Sequence, residues 1–298
     1  MQVLKVNNLH KSYGAKQVLC GLELSVEEHR IFGFVGKNGA GKTTAMKAIL
    51  GLIKTDKGEI EVCGERVSFG STPTNRHVGY LPDVPEFYSF MTAREYLRLC
   101  GECLNMNSHD IALRSDELLS CVGLFGEKHK IGGYSRGMKQ RLGIAQALFA
   151  KPKLLICDEP TSALDPMGRR EILELLLSVR NETTVFLSTH ILSDVERICT
   201  DIAILNEGRT AFCGSINDMK SRYVRDEFIV ELRDKKGFAI LRDAFSSRPL
   251  DGETLVFSGG ESEMLRIMGY INEKGLSVNK IERVQPSLES FFEEVVNK

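Results

Sequence analysis

The sequence lacks any long apolar run. Among its 298 residues, no stretch approaches the ~20 consecutive apolar residues of a membrane-spanning helix. The first residues, MQVLKVNNLHKSYG, also lack the apolar core of a signal peptide. We therefore expect a cytoplasmic protein, and if it moves a compound across a membrane, another chain must form the path.

An excess of either charge is missing too. The formal net charge is −1, from 39 basic and 40 acidic residues, so the chain has no overall basic character and nucleic acid is not expected as a partner. The sustained heptads of a coiled coil are also absent. Since single cores stop growing at about 250 to 300 residues, we expect the chain to split into two domains.

Cysteine pairs at metal-site spacing are scarce. Of the eight cysteines, Cys100 and Cys103 form a lone C-x-x-C in a helical pattern, and no second pair follows at zinc-site spacing. We expect neither a metal nor a redox function there. Five other cysteines lie within apolar strands or helices, which suits reduced, buried thiols: Cys20, Cys63, Cys157, Cys199 and Cys213.

A glycine-rich run is the strongest feature that the chain does have. GKNGAGKTT (residues 36–44) directly follows the apolar stretch IFGFV, and strand, glycine-rich turn and helix in this order are typical of a phosphate-binding P-loop. Gly36, Gly39 and Gly41 allow a tight turn whose N–H groups face phosphate oxygens, at the positive end of the following helix. Lys42 is then expected on the β- and γ-phosphates and Thr43 at Mg²⁺. The sequence thus predicts binding of a nucleoside triphosphate.

Two adjacent acids end a second apolar strand. In KLLICDEP these are Asp158 and Glu159. Such acids are costly at the end of a buried strand unless a cation faces them. One carboxylate is placed to hold Mg²⁺ through water, and the other to polarise an attacking water molecule.

A capped helix lies between these two motifs. In GGYSRGMKQRLGIAQAL (residues 132–148), Ser135 is predicted to cap a helix, and its N-terminus, with Gly137 close by, is a second anion site. On its own this pattern describes an ordinary amphipathic helix. It gains weight from SALD (residues 162–165) and from His190, which follows the apolar strand TTVFLS.

The order of these motifs resembles that of the ATP-binding cassette (ABC) ATPases over residues 1 to about 215. The resemblance identifies residues 36–44 as the Walker A loop, with Asn38 and Thr44 among its nucleotide contacts. It identifies Ser135–Met138 as the signature motif. Tyr13 in HKSYG matches the aromatic residue that stacks on adenine in that family.

The same resemblance implies roles for the acids and the histidine. Asp158 and Glu159 match the Walker B acids, of which the second orients or deprotonates water. Residues 162–165 match the D-loop, which ends in Asp165, and His190 matches the switch histidine that contacts the γ-phosphate. Together with Lys42 as a catalytic cation, these residues imply an ATPase with ATP and Mg²⁺ as its ligands.

The chain departs from the common family pattern at two motifs. The signature usually reads LSGGQ, whereas here it reads YSRGM, so that Arg136 replaces the first glycine. Asp83, in HVGYLPDVPEFY, stands where most members have a glutamine. An acid still accepts a bond from a Mg²⁺-bound water molecule but cannot donate one. Both variants resemble the branch that energises ABC-2 type exporters, including antibiotic and bacteriocin export ATPases.

The resemblance also implies an assembly. In the family two copies pair head to tail, with each nucleotide between the P-loop of one copy and Ser135 of the other. We therefore expect a homodimer that drives a separate ABC-2 type permease from the inner face of the cell membrane. One alternative is a soluble ABC protein that clamps a ribosome or DNA, although such proteins typically carry two cassettes or a long coiled-coil insertion. Another is a non-catalytic nucleotide-binding regulator, against which Glu159 argues.

The coarse organisation predicts an α/β fold with a P-loop NTPase core. Strands at residues 3–6, 31–35, 154–158, 184–188 and 202–205, interleaved with helices, indicate a mostly parallel sheet next to an antiparallel N-terminal β portion. A helical lobe is expected at about residues 85–150, with helices Ala93–Leu104, Ile111–Val122 and Ser135–Phe149. Residues 1–220 form the predicted ATPase domain, and residues 225–298 form a small α+β domain that ends in a helix starting at Pro286.

One aromatic segment precedes the helical lobe. In DVPEFYSFM (residues 83–91), Phe87, Tyr88 and Phe90 either pack internally or contact a partner. In the resembled family this segment borders the groove that receives the coupling helix of the permease. The sequence favours neither reading.

Overall fold

The computed structural model describes residues 1–70, 73–222, 226–284 and 287–296. Its contacts divide the chain into two compact units. The first comprises Met1–Asn217 with the described residues from Glu294 onward, and the second comprises Asp218–Glu293. The boundary predicted at residues 220–225 stays a prediction, because residues 223–225 lie outside the described ranges.

The first unit contains two sheets. In chain order its strands are β1 (Gln2–Tyr13), β2 (Lys16–Glu27), β3 (Ile31–Gly36), β4 (Lys57–Val62), β5 (Glu65–Arg66), β6 (Val78–Leu81), β7 (Leu154–Asp158), β8 (Thr184–Thr189), β9 (Asp201–Asn206) and β10 (Arg209–Ser215). Its helices are α1 (Lys42–Ile49), α2 (Ala93–Cys103), α3 (Ser108–Cys121), α4 (Arg136–Leu148), α5 (Pro166–Val179) and α6 (Leu192–Ile198), and α7 (Ile216–Arg222) crosses the unit boundary. Single 3₁₀ turns span Pro73–His77 and Ile131–Gly133.

The larger sheet positions the site. Its strand order is β10-β9-β3-β8-β7-β6, and every pairing is parallel except that of β9 with β10. All residues of β3, β7 and β8 are buried, as expected for strands covered on both faces. Because parallel strands end at the same edge, the residues after β3, β7 and β8 meet there. The predicted mostly parallel core is confirmed.

The N-terminal sheet is antiparallel, with the order β2-β1-β4-β5. Its first strand is longer than the predicted residues 3–6, because β1 pairs with β2 along nearly its whole length and tolerates register shifts on the way. β2 also contacts the turn between β9 and β10, since the N–H of Cys20 donates to the carbonyl of Gly208 at 2.8 Å.

The helical lobe is formed by α2, α3 and α4, close to the predicted ranges. Side-chain caps set the starts of these helices. Thr92 and Glu95 form a reciprocal capping box at α2, and the Asn107 side chain accepts from the N–H of Asp110 at 2.9 Å. The cap at Asn107 places the start of α3 at Ser108 rather than the predicted Ile111. The buried Arg114 side chain joins α3 to the end of α4 by donating to the carbonyl of Leu148 at 2.6 Å.

The three aromatic residues before the lobe differ in burial, so each of the two predicted alternatives fits some of them. Phe87 is partly buried and meets Tyr96 edge-on, with ring centroids 5.0 Å apart. Tyr88 and Phe90 are 54% and 66% exposed. Internal packing therefore describes Phe87, whereas the other two rings are available to a partner.

The second unit alternates strands and helices as the sequence predicts. Its elements are β11 (Glu227–Leu232), α8 (Lys235–Ala244), β12 (Arg248–Pro249), β13 (Thr254–Ser258), α9 (Glu261–Glu273) and β14 (Val278–Arg283). The strands pair antiparallel in the order β12-β13-β11-β14 over a core that includes Phe228 and Phe257. The last helix, α10 (Leu288–Val296), follows Pro286, which lies outside the described residues.

The cysteines are less uniformly buried than expected. Cys157 is buried and Cys20, Cys63 and Cys199 are intermediate, but Cys213 is exposed, so that prediction is wrong for Cys213. Its strand, β10, lies at the edge of the larger sheet, where alternate side chains face solvent.

Candidate active site

The P-loop joins β3 to α1 as predicted. Gly39 and Gly41 have φ values of 83° and 110°, a region that residues with a Cβ rarely adopt. A Cβ on Gly41 would lie 2.9 Å from the carbonyl oxygen of Val18 in β2. Gly41 is also the N-cap of α1 and makes no side-chain cap bond. The loop therefore presents a helix N-terminus to an anion.

Lys42 is the first residue of α1, directly after this loop. Its side chain is 7% exposed, and its Nζ donates to the carbonyl of Gly36 at 2.7 Å and lies 3.6 Å from Oε1 of Glu159. The ammonium group is thus held between the P-loop backbone and the acid that follows β7. Asn38 and Thr43 are exposed on the loop and Thr44 is half-buried.

Asp158 and Thr43, the residues predicted to hold Mg²⁺, contact each other. The Thr43 hydroxyl donates to Oδ2 of Asp158 at 3.4 Å. Burial, followed by the charges of Glu159 and Asp83, raises the pKa of Asp158 to about 6, although the Ser188 hydroxyl and Lys42 act against this shift. A buried carboxylate that is crowded by like charges is relieved by a cation, so the donor set fits Mg²⁺.

Glu159 has an unusual backbone conformation for a residue with a side chain. Its φ is 48°, and its N–H donates to the carbonyl of Ser188 at 2.9 Å. Its Oε2 lies 2.9 Å from Nδ1 of His190. Strained backbone of this kind clusters at functional sites. The structure thereby brings together Glu159, His190 and Lys42, which come from three separate parts of the sequence.

Asp83 lies between this acid cluster and the signature helix. Its Oδ1 is 3.4 Å from Nη2 of Arg136, and its carbonyl accepts from Nε2 of the buried Gln140 at 2.7 Å. Sequence reasoning missed both contacts, although Asp83 and Arg136 are the residues at which the chain departs from the family pattern. The two departures face each other.

The signature residues lie at the start of α4 as predicted. The hydroxyl of Ser135 accepts from the N–H of Met138 at 3.2 Å. Ser135, Gly137 and Asp165 line one cavity of about 350 Å³, whose lining contains no residue of the P-loop. The structure therefore groups the signature with the D-loop and not with Lys42.

Asp165 and Tyr13, two predicted nucleotide contacts, each lie at the end of an element. Asp165 caps α5, since its Oδ1 accepts from the N–H of Gly168 at 3.2 Å. Tyr13 ends β1 and is half-exposed, and Nζ of Lys11 lies 4.9 Å from its ring centroid. β1 pairs with β2, whose Val18 lies close to Gly41, so Tyr13 belongs to the sheet that backs the P-loop.

Comparison with known proteins identifies the family of this chain. The family model described as ABC transporter matches residues 19–162. The ABC transporter ATP-binding protein YxlF of Bacillus subtilis is 35% identical over 99% of this chain and 100% of its own length. The bacitracin transport ATP-binding protein BcrA of Bacillus licheniformis is 36% identical over 99% of this chain and 97% of its own.

A solved structure agrees with these relatives. The protein cbiO1 of Clostridium perfringens, described as part of the ABC transporter complex cbiONQ, superposes with a TM-score of 0.68 at 25% identity, covering 74% of this chain and 91% of that one. None of the described helices combines the length and apolar character needed to cross a bilayer. The predicted ABC family, P-loop fold and ATPase activity are confirmed. The chain belongs to the ATP-binding subunits of ABC transporters, which hydrolyse ATP and work with membrane permease subunits.

Proposed function

We propose that this subunit drives export through an ABC-2 type permease as a head-to-tail homodimer at the inner face of the cell membrane. The full-length similarity to BcrA, whose name gives bacitracin transport, supports export of an antibiotic-like compound. The signature of this chain lines a cavity without any P-loop residue, which is what an assembly in which each copy completes the site of the other requires.

The convergence of Glu159, His190 and Lys42 carries the proposed chemistry. Glu159 orients or deprotonates the water molecule that attacks the γ-phosphate, and His190 holds the Glu159 carboxylate and senses that phosphate. Lys42 neutralises charge that develops on the transferred phosphoryl group. Because Lys42 and Glu159 are 3.6 Å apart, the cation and the base act on one centre.

The remaining contacts bind the nucleotide. Tyr13 stacks on adenine, and the backbone N–H groups of Gly36, Asn38, Gly39, Gly41 and Thr44 surround the phosphates. Ser135, Gly137 and Asp165 of the second copy close the site from the other side. Thr43 and Asp158, together with Asp83, would hold Mg²⁺. Bound Mg²⁺ would supply positive charge to the phosphate groups.

Replacing Glu159 with glutamine tests this assignment. Glu159→Gln preserves the shape of the side chain and removes its charge, so we expect ATP affinity to persist while turnover falls about 10²- to 10⁴-fold. Dimers should accumulate with ATP and Mg²⁺ in size-exclusion chromatography. Glu182→Gln is the matched control, because Glu182 is exposed and lies just before the start of β8, at the end of that strand away from His190. A monomeric Glu159→Gln protein that hydrolyses ATP at the wild-type rate would remove Glu159 from this role.

A second experiment tests the partner. The subunit is expressed with and without its candidate permease, and the membrane fraction is assayed for the subunit. Permease-dependent membrane association supports the exporter. A subunit that sediments with ribosomes or DNA in both cases contradicts it and favours a clamp.

A further inference from the structure

A buried carboxylate behind the candidate active site has no role in the proposed chemistry. Asp194, on α6, has a side chain that is 4% exposed. Its Oδ2 accepts from the Thr161 hydroxyl at 2.7 Å, and its Oδ1 accepts from Nε of Arg169 at 2.6 Å. Arg169 also donates through Nη2 to the Ser193 hydroxyl at 3.0 Å. Each carboxylate oxygen of Asp194 therefore has its own partner.

Both partners belong to the segment that carries Glu159 and the D-loop, whereas Asp194 belongs to the segment of His190. Thr161 lies two residues after Glu159, and Arg169 lies in α5 just after the D-loop. Asp194 lies four residues after His190. Asp194 thus joins the segment of Glu159 and the D-loop to the segment of His190.

The same two segments meet a second time at the site itself. There Nδ1 of His190 lies 2.9 Å from Oε2 of Glu159. The Glu159 N–H also donates to the carbonyl of Ser188 at 2.9 Å. The segments are therefore attached at Glu159, through its backbone and its side chain, and separately at Asp194, through its carboxylate. Attachment at two separate places resists rotation of one segment against the other.

The backbone of the first segment needs such support. Glu159 and Ala163 both have positive φ values, 48° and 52°, which persist only where surrounding contacts over-determine them. A buried charge that is paired on both oxygens is costly to displace, because movement leaves it or its arginine without a partner. Asp194 is such a charge, buried, paired on both oxygens and next to the segment.

We propose that Asp194 is a positioning residue for ATP hydrolysis, which keeps Glu159 against His190 and holds the D-loop through Thr161 and Arg169. The inference rests on the roles proposed above for Glu159 and His190. Asp194 touches neither nucleotide nor water in this scheme, and its effect passes through the geometry of Glu159.

Asparagine at this position is the direct test. Asp194→Asn keeps the shape and can still accept from Thr161, but it loses the charge that holds Arg169. Misplacement of a reacting group by about 1 Å costs on the order of 100-fold in rate, so we expect kcat to fall about 10- to 100-fold. Affinity for a fluorescent ATP analogue should stay within about twofold of wild type, because none of the contacts of Asp194 involves the P-loop.

Variants of Arg169 separate positioning from general stability. Arg169→Lys retains a cation and should restore most of the activity that Arg169→Met loses. The double variant Asp194→Asn/Arg169→Met should be no slower than either single variant, since the two groups act as one unit. Arg170→Met is the matched control: Arg170 is the next residue of α5, pairs with Glu174 at 2.7 Å and is exposed. Its kcat should equal that of wild type.

Two results would overturn the proposal. One is a kcat of Asp194→Asn within about twofold of wild type. The other is an equal fall in kcat, ATP affinity and Tm, with Arg169→Lys as damaging as Arg169→Met, because a merely structural role gives that pattern. Failure of the proposed function looks different, since Glu159→Gln would then hydrolyse ATP at the wild-type rate whatever Asp194 does.

Discussion

At the scale of single residues, the site concentrates negative charge that the protein alone does not balance. Asp158 is buried beside Glu159, and Asp83 adds to the same field. Lys42 is the cation that lowers the pKa of Asp158, against two carboxylates that raise it. This unbalanced charge lowers the stability of the ligand-free protein, so the site favours the ligand-bound state.

The pKa of Asp158 makes this cost measurable. Its folded-state value of about 6 lies above the ordinary 3.8. The stability contributed by the protonated group is therefore fully present below pH ~3.8 and is lost as the pH rises through ~6. Above that range the nucleotide-free protein carries a buried charge at a cost.

Asp158→Asn should therefore stabilise the nucleotide-free protein while abolishing turnover. We expect its Tm to exceed that of wild type by about 3 to 8 °C at pH 7.5, because the buried charge is gone, and the two Tm values to converge only as the pH falls to about 4. Addition of ATP and Mg²⁺ should raise the Tm of wild type more than that of the variant. Differential scanning fluorimetry measures all of these, with the exposed Asp243→Asn as control. A variant less stable than wild type at pH 7.5 would contradict the argument.

At the scale of elements, the aromatic rings of the segment before the helical lobe lie in two different environments. Phe87 packs on Tyr96, whereas Tyr88 is more than half exposed. The sequence treats these rings alike, since they are adjacent aromatic residues. Their environments predict opposite consequences of the same substitution.

Tyr88→Asp should reduce recruitment to the permease and leave basal ATPase activity intact, because an unpaired charge would be buried in the partner contact. Phe87→Asp should instead lower Tm and activity together, since its charge is placed within the protein. Leu113→Asp, on the exposed surface of α3, is the control for adding charge to an exposed apolar position. Membrane co-sedimentation, ATPase rate and Tm are measured for all three. Unchanged membrane association of Tyr88→Asp would exclude this segment as the contact.

At the scale of the whole molecule, the site is divided between two places on the chain. Lys42, Glu159 and His190 meet at the edge of the larger sheet, and Ser135 lines a separate cavity with Asp165. In the head-to-tail pair that we propose, these halves join across an interface that repeats by symmetry. Each copy then supplies one half of both sites.

This division predicts complementation between two inactive chains. Lys42→Ala removes the phosphate contact of the P-loop, and Ser135→Arg blocks the signature. Each variant alone should be inactive, but a heterodimer contains one intact site, made from the P-loop of the Ser135→Arg chain and the signature of the Lys42→Ala chain. An equimolar mixture should recover up to about one quarter of the wild-type ATPase rate if chains pair at random.

The control mixture combines the Lys42→Ala chain with the double variant Glu159→Gln/Ser135→Arg. No pairing of these two chains contains an intact site. Titration of one chain against the other should give a maximum near equal amounts. An inactive mixture of soluble, dimerising chains would contradict the shared site.

The sequence alone determined the parts of this protein whose contacts close within a few residues. The P-loop, the Asp158–Glu159 pair and the cap at Ser135 depend on local turns, strand ends and helix starts, and each lies where its pattern predicts. The alternation of strands and helices likewise follows from local periodicity. The order of these motifs was enough to place the chain in its family, although the assigned roles of the site residues stay predictions.

Only the tertiary structure decided which distant residues meet and which side chains are covered. Asp194 reaches Thr161 and Arg169 across a separation of 25 residues or more, and Arg136 reaches Asp83 across 53. No periodicity encodes such pairs, because their geometry arises when separate elements pack. The burial of Phe87 beside the exposed Tyr88, and the exposure of Cys213 on an edge strand, have the same cause: side-chain environment is set by neighbours that are remote in sequence.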